Sequence, residues 1–167
     1  GLAGFGDERG ADSTWERAGL KFPRIQGADV VGRIVALGAG VPEARLGERV
    51  LVDPWIRDPD EPERRELAGY FGSERDGGYA EYAACHVNTL HKIPESIAFE
   101  EGAVLTGAGT VLYGYERIGW VRPGETVVVT GPGSIGLISA HIAKILGAGR
   151  VILTGKREDR LAVGRQM

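Results

Sequence analysis

The fold is decided by the stretch TVVVTGPGSIG at residues 126–136. Its first five residues are β-branched, which is typical of a strand buried on both faces of a parallel sheet. The glycines that follow match the pattern G-x-G-x-x-G. Isoleucines then recur at helical spacing: Ile135, Ile138, Ile142 and Ile145. A glycine loop between a buried strand and an amphipathic helix is the context in which this pattern binds a dinucleotide.

Each position of this loop has a physical role if a dinucleotide binds there. Gly131 permits the tight turn, Gly133 lets the backbone approach a pyrophosphate, and Gly136 lets the helix pack close to the strand. The free N–H groups and the helix dipole at Ser134 and Ile135 face the phosphates. The alternative is a glycine turn in another kind of α/β protein. We therefore predict that these five residues bind a cofactor.

A second strand and a second helix follow the loop. The helix that starts after the loop stops at Gly147, residues 151–153 form another buried strand, and a further helix begins at Arg160. The order strand, helix, strand, helix predicts a βαβ unit and a parallel sheet. The second half of the chain is therefore α/β in class.

The residues after the second strand bear on which nicotinamide cofactor binds. An NAD-binding fold usually places Asp or Glu there, about 20 residues after the loop, to hold the ribose 2′-hydroxyl. This sequence has Gly155, Lys156 and Arg157 instead. Glycine leaves room for a 2′-phosphate and the two cations could pair with it, which favours NADP, with NAD as the alternative. The cations could also be solvated residues balanced by Glu158 and Asp159.

The first half of the chain has the pattern of a small β-domain. Three segments are rich in β-branched or aromatic residues. Residues 28–38 are predicted to form a strand or a bent strand pair, residues 46–52 a turn followed by a second strand, and residues 79–84 a third strand. Glycine turns join them, which indicates a β-barrel or sandwich. Residues 54–73 read as a charged surface loop, and residues 1–22 as a loop or a short helix near Trp15. Residues 98–118 carry two helical stretches around glycines 107 and 109.

Composition excludes several classes of function. The net charge is −3 and no basic run occurs, which argues against nucleic acid as a partner. Apolar stretches fall short of the roughly 20 residues that a membrane span needs. No signal peptide is visible, and the single Cys85 rules out an internal disulfide framework. These features are typical of a cytoplasmic protein that acts on a small-molecule substrate.

Several ordered motifs resemble those of the medium-chain dehydrogenase/reductase superfamily, the alcohol dehydrogenase and quinone oxidoreductase-like proteins. They are GADVVG at 27–32, VALG at 35–38, LGERV at 46–50, DGGYAEY at 76–82 and RPGETVVV at 122–129. The resemblance implies an NAD(P)-dependent oxidoreductase, present as a partial chain. It implies a GroES-like β-barrel-type domain over residues 1–104, without its N-terminal part. The first half of a Rossmann domain would then occupy residues 105–167.

The resemblance implies three further properties. Thr110 would line the nicotinamide site by its place in the family pattern, while no catalytic residue can be assigned. The full-length protein would be a homodimer or homotetramer. Cys85 is interpreted as a small core residue, His86 and His91 as surface residues, and His141 as a residue on a helix face.

The resemblance also bears on zinc. Zinc-dependent members have a histidine where this sequence has Ala28, and their third ligand would fall at Ala108 or Thr106. No cysteine lies between Trp55 and Gly77 to bind a structural zinc. A tetrahedral zinc site needs its ligands, so no zinc is expected. Zinc-independent hydride transfer between NADP(H) and a small carbonyl, enone or quinone is then the predicted chemistry.

Two alternatives remain open. One is a zinc-dependent alcohol or polyol dehydrogenase that takes ligands from outside this sequence. Residues 108–117 favour it, because they resemble the zinc-dependent polyol and threonine dehydrogenase branch. The other is a non-catalytic NADPH-binding protein.

Overall fold

The computed structural model describes residues 22–56 and 69–167. The chain divides into two compact units, of which the first ends at Ala103 and the second is Val104–Met167. The predicted loop or helix near Trp15 lies outside the described residues, as does most of the predicted surface loop at 54–73.

The first unit is built on a three-stranded antiparallel sheet. Its strands are β1 (Val31–Arg33), β2 (Arg49–Val52) and β5 (Leu90–Lys92), in the order β1-β2-β5. Two flanking strands, β3 (Trp55–Ile56) and β4 (Gly69–Tyr70), pair with each other. Alternate residues of β2 point inward, and Val50 and Val52 are buried together with Phe71 and Ile93. This short-stranded β-structure agrees with the pattern in the first half of the sequence.

The strand predicted at residues 79–84 is wrong. The segment is irregular, and Tyr79 and Tyr82 are largely exposed. The Tyr79 amide donates to the carbonyl of Gln26 (2.9 Å) and the Gly78 amide to that of Gly27 (2.8 Å). The backbone is therefore used in a loop-to-loop junction. The third strand of the sheet is β5, which the sequence analysis missed because it is only three residues long.

The strand predicted at residues 28–38 is shorter than expected, because only β1 forms a strand there. The turn and strand predicted at 46–52 are confirmed, with β2 as the strand. A one-turn helix, α1 (Phe99–Gly102), closes the unit, and its Glu101 carboxylate accepts from the Ala98 amide at 2.8 Å. Arg49 of β2 ties this region to the sheet, because its guanidinium stacks 4.3 Å from the Phe99 ring centroid.

The second unit opens with one continuous helix, α2 (Leu105–Arg117), where two stretches were predicted. The helix runs through Gly107 and Gly109, although glycine costs about 1 kcal/mol in a helix interior. Packing offsets this cost. A side chain at Gly107 would meet Ile138, and the Tyr115 hydroxyl donates to the Ser139 carbonyl at 3.0 Å.

The predicted βαβ unit is confirmed. Strand β6 (Thr126–Thr130) leads into α3 (Ser134–Ile145), then β7 (Arg150–Thr154), and the two strands are parallel and in register. Gly147 ends the connection with a φ of 96°, as expected for a helix stop. The last helix, α4 (Glu158–Gln166), starts two residues before the predicted Arg160.

The core of this unit lies between α2, α3 and one face of the two strands. Its buried members are Val111, Tyr115, Val121, Ile142 and Ala143. Strand β6 alternates between half-buried and exposed residues, and Val128 is 61% exposed. The prediction that β6 is buried on both faces is therefore wrong for the described residues, because helices cover only one face of the sheet.

No helix among residues 22–56 and 69–167 is long and apolar enough to cross a bilayer.

Candidate functional site

The glycine loop joins the end of β6 to the first turn of α3. Gly131 has a φ of 99°, in the left-handed region that favours glycine, and its amide donates to the Thr154 carbonyl of β7 at 2.8 Å. Gly133 is extended and precedes the first helical residue, Ser134. The loop thus turns sharply at the carboxyl ends of both strands, where open parallel sheets bind their ligands.

The steric surroundings of the loop fit a pyrophosphate. A Cβ at Gly136 would fall inside the van der Waals radius of the Gly131 carbonyl oxygen, so only glycine lets α3 approach the turn. At Gly133 nothing lies within 4 Å of an added Cβ, so the surface above the loop is open. The first N–H groups of α3 lack intrahelical partners. The tight packing at Gly136, the open space at Gly133 and the free N–H donors of α3 together form a site that fits a phosphate group.

The end of β7 lies against this loop through Gly155 and Pro132. A Cβ at Gly155 would come within 2.6 Å of the Pro132 Cγ and closer still to the Cδ. Pro132 is buried, while Gly155 is exposed on its other side. The structure adds a steric reason for glycine at this position to the expectation that it leaves room for a 2′-phosphate. The volume that a side chain at 155 would take already holds the proline ring.

Arg157 and Lys156 follow Gly155 at the surface, but they differ in their partners. The Arg157 guanidinium donates to both carboxylate oxygens of Asp159, at 2.9 Å from Nε and 2.7 Å from Nη2. This hydrogen bonding raises the pKa of Arg157 and lowers the pKa of Asp159. The alternative of cations balanced by neighbouring acids therefore describes Arg157, while Lys156 is exposed and has no ion pair among the described residues.

Thr110 is exposed on α2, and its hydroxyl donates to the Thr106 carbonyl at 3.4 Å. One turn earlier on the same helix face, a side chain at Gly107 would lie 3.4 Å from the Ile135 side chain of the loop. Thr110 therefore lies one turn beyond the point at which α2 packs against the start of α3. The hydroxyl of Thr106 is buried and has no hydrogen-bond partner among the described residues.

In the first unit, a glycine-lined junction joins the segment around Asp29 to the segment around Asp76. The Gly77 amide donates to the Ile25 carbonyl at 2.7 Å, and the Asp76 carboxylate accepts from the Ile25 amide at 3.1 Å. Asp29 is exposed. Burial, followed by the charges of Asp29 and Asp53, raises the pKa of Tyr70.

The cysteine and histidines of the chain make no common site. Cys85 is half-buried and burial raises the pKa of its thiol, so it is a poor nucleophile at neutral pH. His86, His91 and His141 are exposed, as interpreted from the sequence. In the described part of the chain, no group of three or more His, Cys, Asp or Glu side chains could hold a metal ion.

No role was predicted for Pro132, the first x position of the G-x-G-x-x-G pattern. The sequence does contain a signal for its contact with Gly155, because a proline in the loop occurs together with a glycine just after the second strand. In this structure the parallel pairing of β6 and β7 brings those two positions together.

Comparisons with known proteins identify the relatives of this chain. The family model of the alcohol dehydrogenase GroES-like domain matches residues 8–95. An alcohol dehydrogenase of Geobacillus stearothermophilus is 32% identical over 88% of this chain and 46% of its own length. A sorbitol dehydrogenase of Gallus gallus is 31% identical over 89% of this chain and 44% of its own length. The chain therefore spans about half the length of the curated relatives it matches.

Solved structures agree with these relatives. A putative zinc-binding dehydrogenase from Sinorhizobium meliloti, solved with NADP, superposes with a TM-score of 0.81 at 27% identity, over 88% of this chain and 45% of that one. A thermostable alcohol dehydrogenase from Pyrobaculum aerophilum, solved with cobalt and zinc, gives a TM-score of 0.73 at 26% identity, over 86% and 46%. The predicted fold class, a GroES-like β-domain followed by the first half of a Rossmann sheet, is confirmed.

The expectation that no zinc is bound is wrong in the light of these relatives. The Pyrobaculum aerophilum enzyme contains zinc, and the Sinorhizobium meliloti protein is named a putative zinc-binding dehydrogenase. The expectation rested on the missing histidine at Ala28 and the absence of cysteine between Trp55 and Gly77. Neither observation bears on zinc ligands that a longer protein would supply from residues outside this sequence. The residues described here do not by themselves fit a zinc ion, since no suitable group of ligands is found among them.

Proposed function

Because the chain belongs to the family of medium-chain dehydrogenases with an alcohol dehydrogenase GroES-like domain, we propose that the whole protein is an NAD(P)-dependent alcohol or polyol dehydrogenase. The observation that carries the proposal is the similarity of nearly the whole described chain to alcohol and sorbitol dehydrogenases. This reading replaces zinc-independent reduction of quinones or enones, for which none of the relatives described above provides support. A small alcohol is the corresponding substrate.

Within this proposal, residues 105–167 bind the cofactor and residues 1–104 form the GroES-like domain. The nicotinamide supplies the hydride chemistry, and the protein binds and orients it. Gly131, Gly133 and Gly136 shape the loop around the pyrophosphate, and the amides of Ser134 and Ile135 donate to it. The open surface over Gly133 and the closed packing under Gly136 support this assignment.

Three further residues are proposed at the two ends of the cofactor. Lys156 and Arg157 lie just after β7, where the adenosine ribose is held in dinucleotide-binding folds. Thr110 is proposed to line the nicotinamide end, supported by its exposed position on the α2 face near Ile135. We assign no catalytic acid or base to this chain.

The proposal includes zinc because relatives of this chain contain it. The zinc-binding members described above support a zinc-type enzyme whose ligands come from residues beyond those described here. Since those ligands are not among residues 22–56 and 69–167, no catalytic step is derived through the metal. A homodimer or homotetramer and a cytoplasmic location stay predictions.

The test uses the full-length protein, purified without chelator. We expect about one or two zinc ions per subunit by elemental analysis, together with NAD⁺- or NADP⁺-dependent oxidation of simple alcohols and polyols. Chelation should abolish the oxidation while leaving NADH or NADPH binding measurable by fluorescence. Turnover of quinones or enones by a zinc-free preparation would contradict the proposal. Cofactor binding without turnover of any substrate would favour the non-catalytic alternative.

A further inference from the structure

Two sites on the nucleotide-binding unit meet at one contact, between Pro132 and Gly155. Pro132 belongs to the loop that is proposed to hold the pyrophosphate, and Gly155 follows the strand beside which the adenosine ribose is proposed to lie. An added Cβ at Gly155 would approach the Pro132 ring to 2.6 Å at Cγ and 3.5 Å at the nitrogen. The φ of Gly155 is not in the left-handed region, so the requirement for glycine here is steric.

The proline ring cannot turn aside from such a clash. Its Cδ is bonded to its own backbone nitrogen, so any movement of the ring moves the backbone of the loop. The loop has little freedom to follow, because the Gly131 amide is bonded to Thr154 at 2.8 Å and the Gly131 carbonyl is packed under Gly136. A side chain at 155 therefore displaces the phosphate site itself.

We propose that Pro132 and Gly155 act as one steric unit that sets the position of the glycine loop and keeps the end of β7 clear of a ribose-binding side chain. Pro132 is then a specificity-determining residue for the cofactor. A carboxylate at position 155, which would hold a ribose 2′-hydroxyl and repel a 2′-phosphate, fits only when residue 132 is made smaller. The inference rests on the proposed binding of a nicotinamide dinucleotide at this loop.

The test is a double-mutant cycle on the full-length protein, with NADH and NADPH affinities measured by fluorescence titration and unfolding temperatures measured in parallel. Gly155→Ala should weaken binding of both cofactors by about tenfold or more, because overpacking moves the loop. Adding Pro132→Ala to this variant should return both affinities to within about threefold of Pro132→Ala alone. Equal losses with and without Pro132→Ala, or wild-type affinity in Gly155→Ala, would overturn the inference.

Gly164→Ala is the matched control. Gly164 lies on α4, and an added Cβ there would meet Leu153 of β7 and not Pro132. The added Cβ would lie 3.9 Å from the Leu153 Cγ and closer to the Leu153 Cδ2. Pro132→Ala should not relieve any loss that Gly164→Ala causes. Relief of both glycine variants by Pro132→Ala would show a general loosening of the unit and would contradict a specific contact.

The preference for NADH or NADPH is tested by a separate pair of variants. Gly155→Asp alone should bind neither cofactor well, whereas Gly155→Asp with Pro132→Ala should prefer NADH over NADPH by about tenfold or more. A switch to NADH by Gly155→Asp alone, at undiminished affinity, would contradict the steric unit. If the wild-type protein binds neither cofactor, the proposed function fails. The contact is then judged by unfolding temperature, where rescue of Gly155→Ala by Pro132→Ala upholds it and failure of rescue refutes it.

Discussion

At the scale of single residues, the pair Arg157 and Asp159 decides how much positive charge is available after β7. Each partner favours the charged form of the other, so that the pKa of the Asp159 carboxyl falls and the pKa of the Arg157 guanidinium rises. Both side chains are more than 60% exposed, so the pair adds little to stability. Its significance lies in orienting the guanidinium.

We expect Asp159→Asn to strengthen NADPH binding by about two- to fivefold, because Arg157 no longer has a carboxylate partner and an exposed pair contributes at most about 1 kcal/mol. NADH binding should not change. Side-by-side fluorescence titrations of the full-length protein measure both. Arg157→Ala is the control and should weaken NADPH binding only. An unchanged NADPH to NADH ratio in both variants would remove Arg157 from the cofactor site.

The turn at Gly131 and the close packing at Gly136 could be predicted from the sequence because both follow from backbone sterics within a short segment. The steric requirement for glycine at position 155 could not be predicted from the sequence. Its neighbour Pro132 lies more than 20 residues earlier in the chain, and only the parallel register of the two strands brings them together. The pairing of Arg157 with Asp159 was visible as an alternative, because both residues belong to one short segment.

At the scale of elements, the start of β2 and the turn before β5 are joined by an ion cluster. Arg45 donates to Glu48 at 2.9 Å from Nε, and its Nη atoms donate to the carbonyls of Val87 (3.3 Å) and Leu90 (3.4 Å). Lys92 lies 3.8 Å from the other oxygen of Glu48. The bond from Arg45 is the main reason that the pKa of Glu48 lies below its usual 4.5.

A lowered pKa means that Glu48 stabilises the folded protein when it is ionised. The stabilisation is complete above the usual value of 4.5 and is lost as the pH falls through the lowered value. We expect Glu48→Gln to unfold at a lower temperature than the wild type at pH 7. The difference should shrink at pH 3, as measured by calorimetry. A difference that is the same at both pH values would assign the effect to packing.

The elements themselves were predictable to unequal degrees. Strands β6 and β7 and helix α3 have strong apolar periodicity over five or more residues, and they were found with nearly correct ends. Strands of two or three residues carry too little pattern to be seen, which explains why β5 was missed. Aromatic alternation at 79–84 indicated a strand, but its backbone groups are bonded to residues 26 and 27.

At the scale of the whole chain, the second unit presents a sheet face that none of the described residues covers. Val128 is 61% exposed in the centre of β6, and exposed apolar surface is prone to associate with apolar surface on other molecules. We expect the 167-residue chain, expressed as such, to self-associate with increasing concentration in light scattering. Val128→Thr should reduce this association.

Val35→Thr is the matched control for that experiment. Val35 is also 61% exposed, but it lies in an irregular segment of the first unit. Its substitution should leave association unchanged. Equal effects of the two variants would mean that general surface hydrophobicity drives association, and the sheet face would have no special role.

The register of the two sheets has a consequence for the order of events during synthesis on the ribosome. In the second unit, Thr126 pairs with Arg150, and α3 connects the two strands directly. In the first unit, Val52 pairs with Leu90, and the stretch of chain between these two residues is longer than the stretch between Thr126 and Arg150. Since closing a longer loop costs more entropy, we expect the βαβ unit to form quickly once it emerges. The antiparallel sheet then governs the slower phase of refolding.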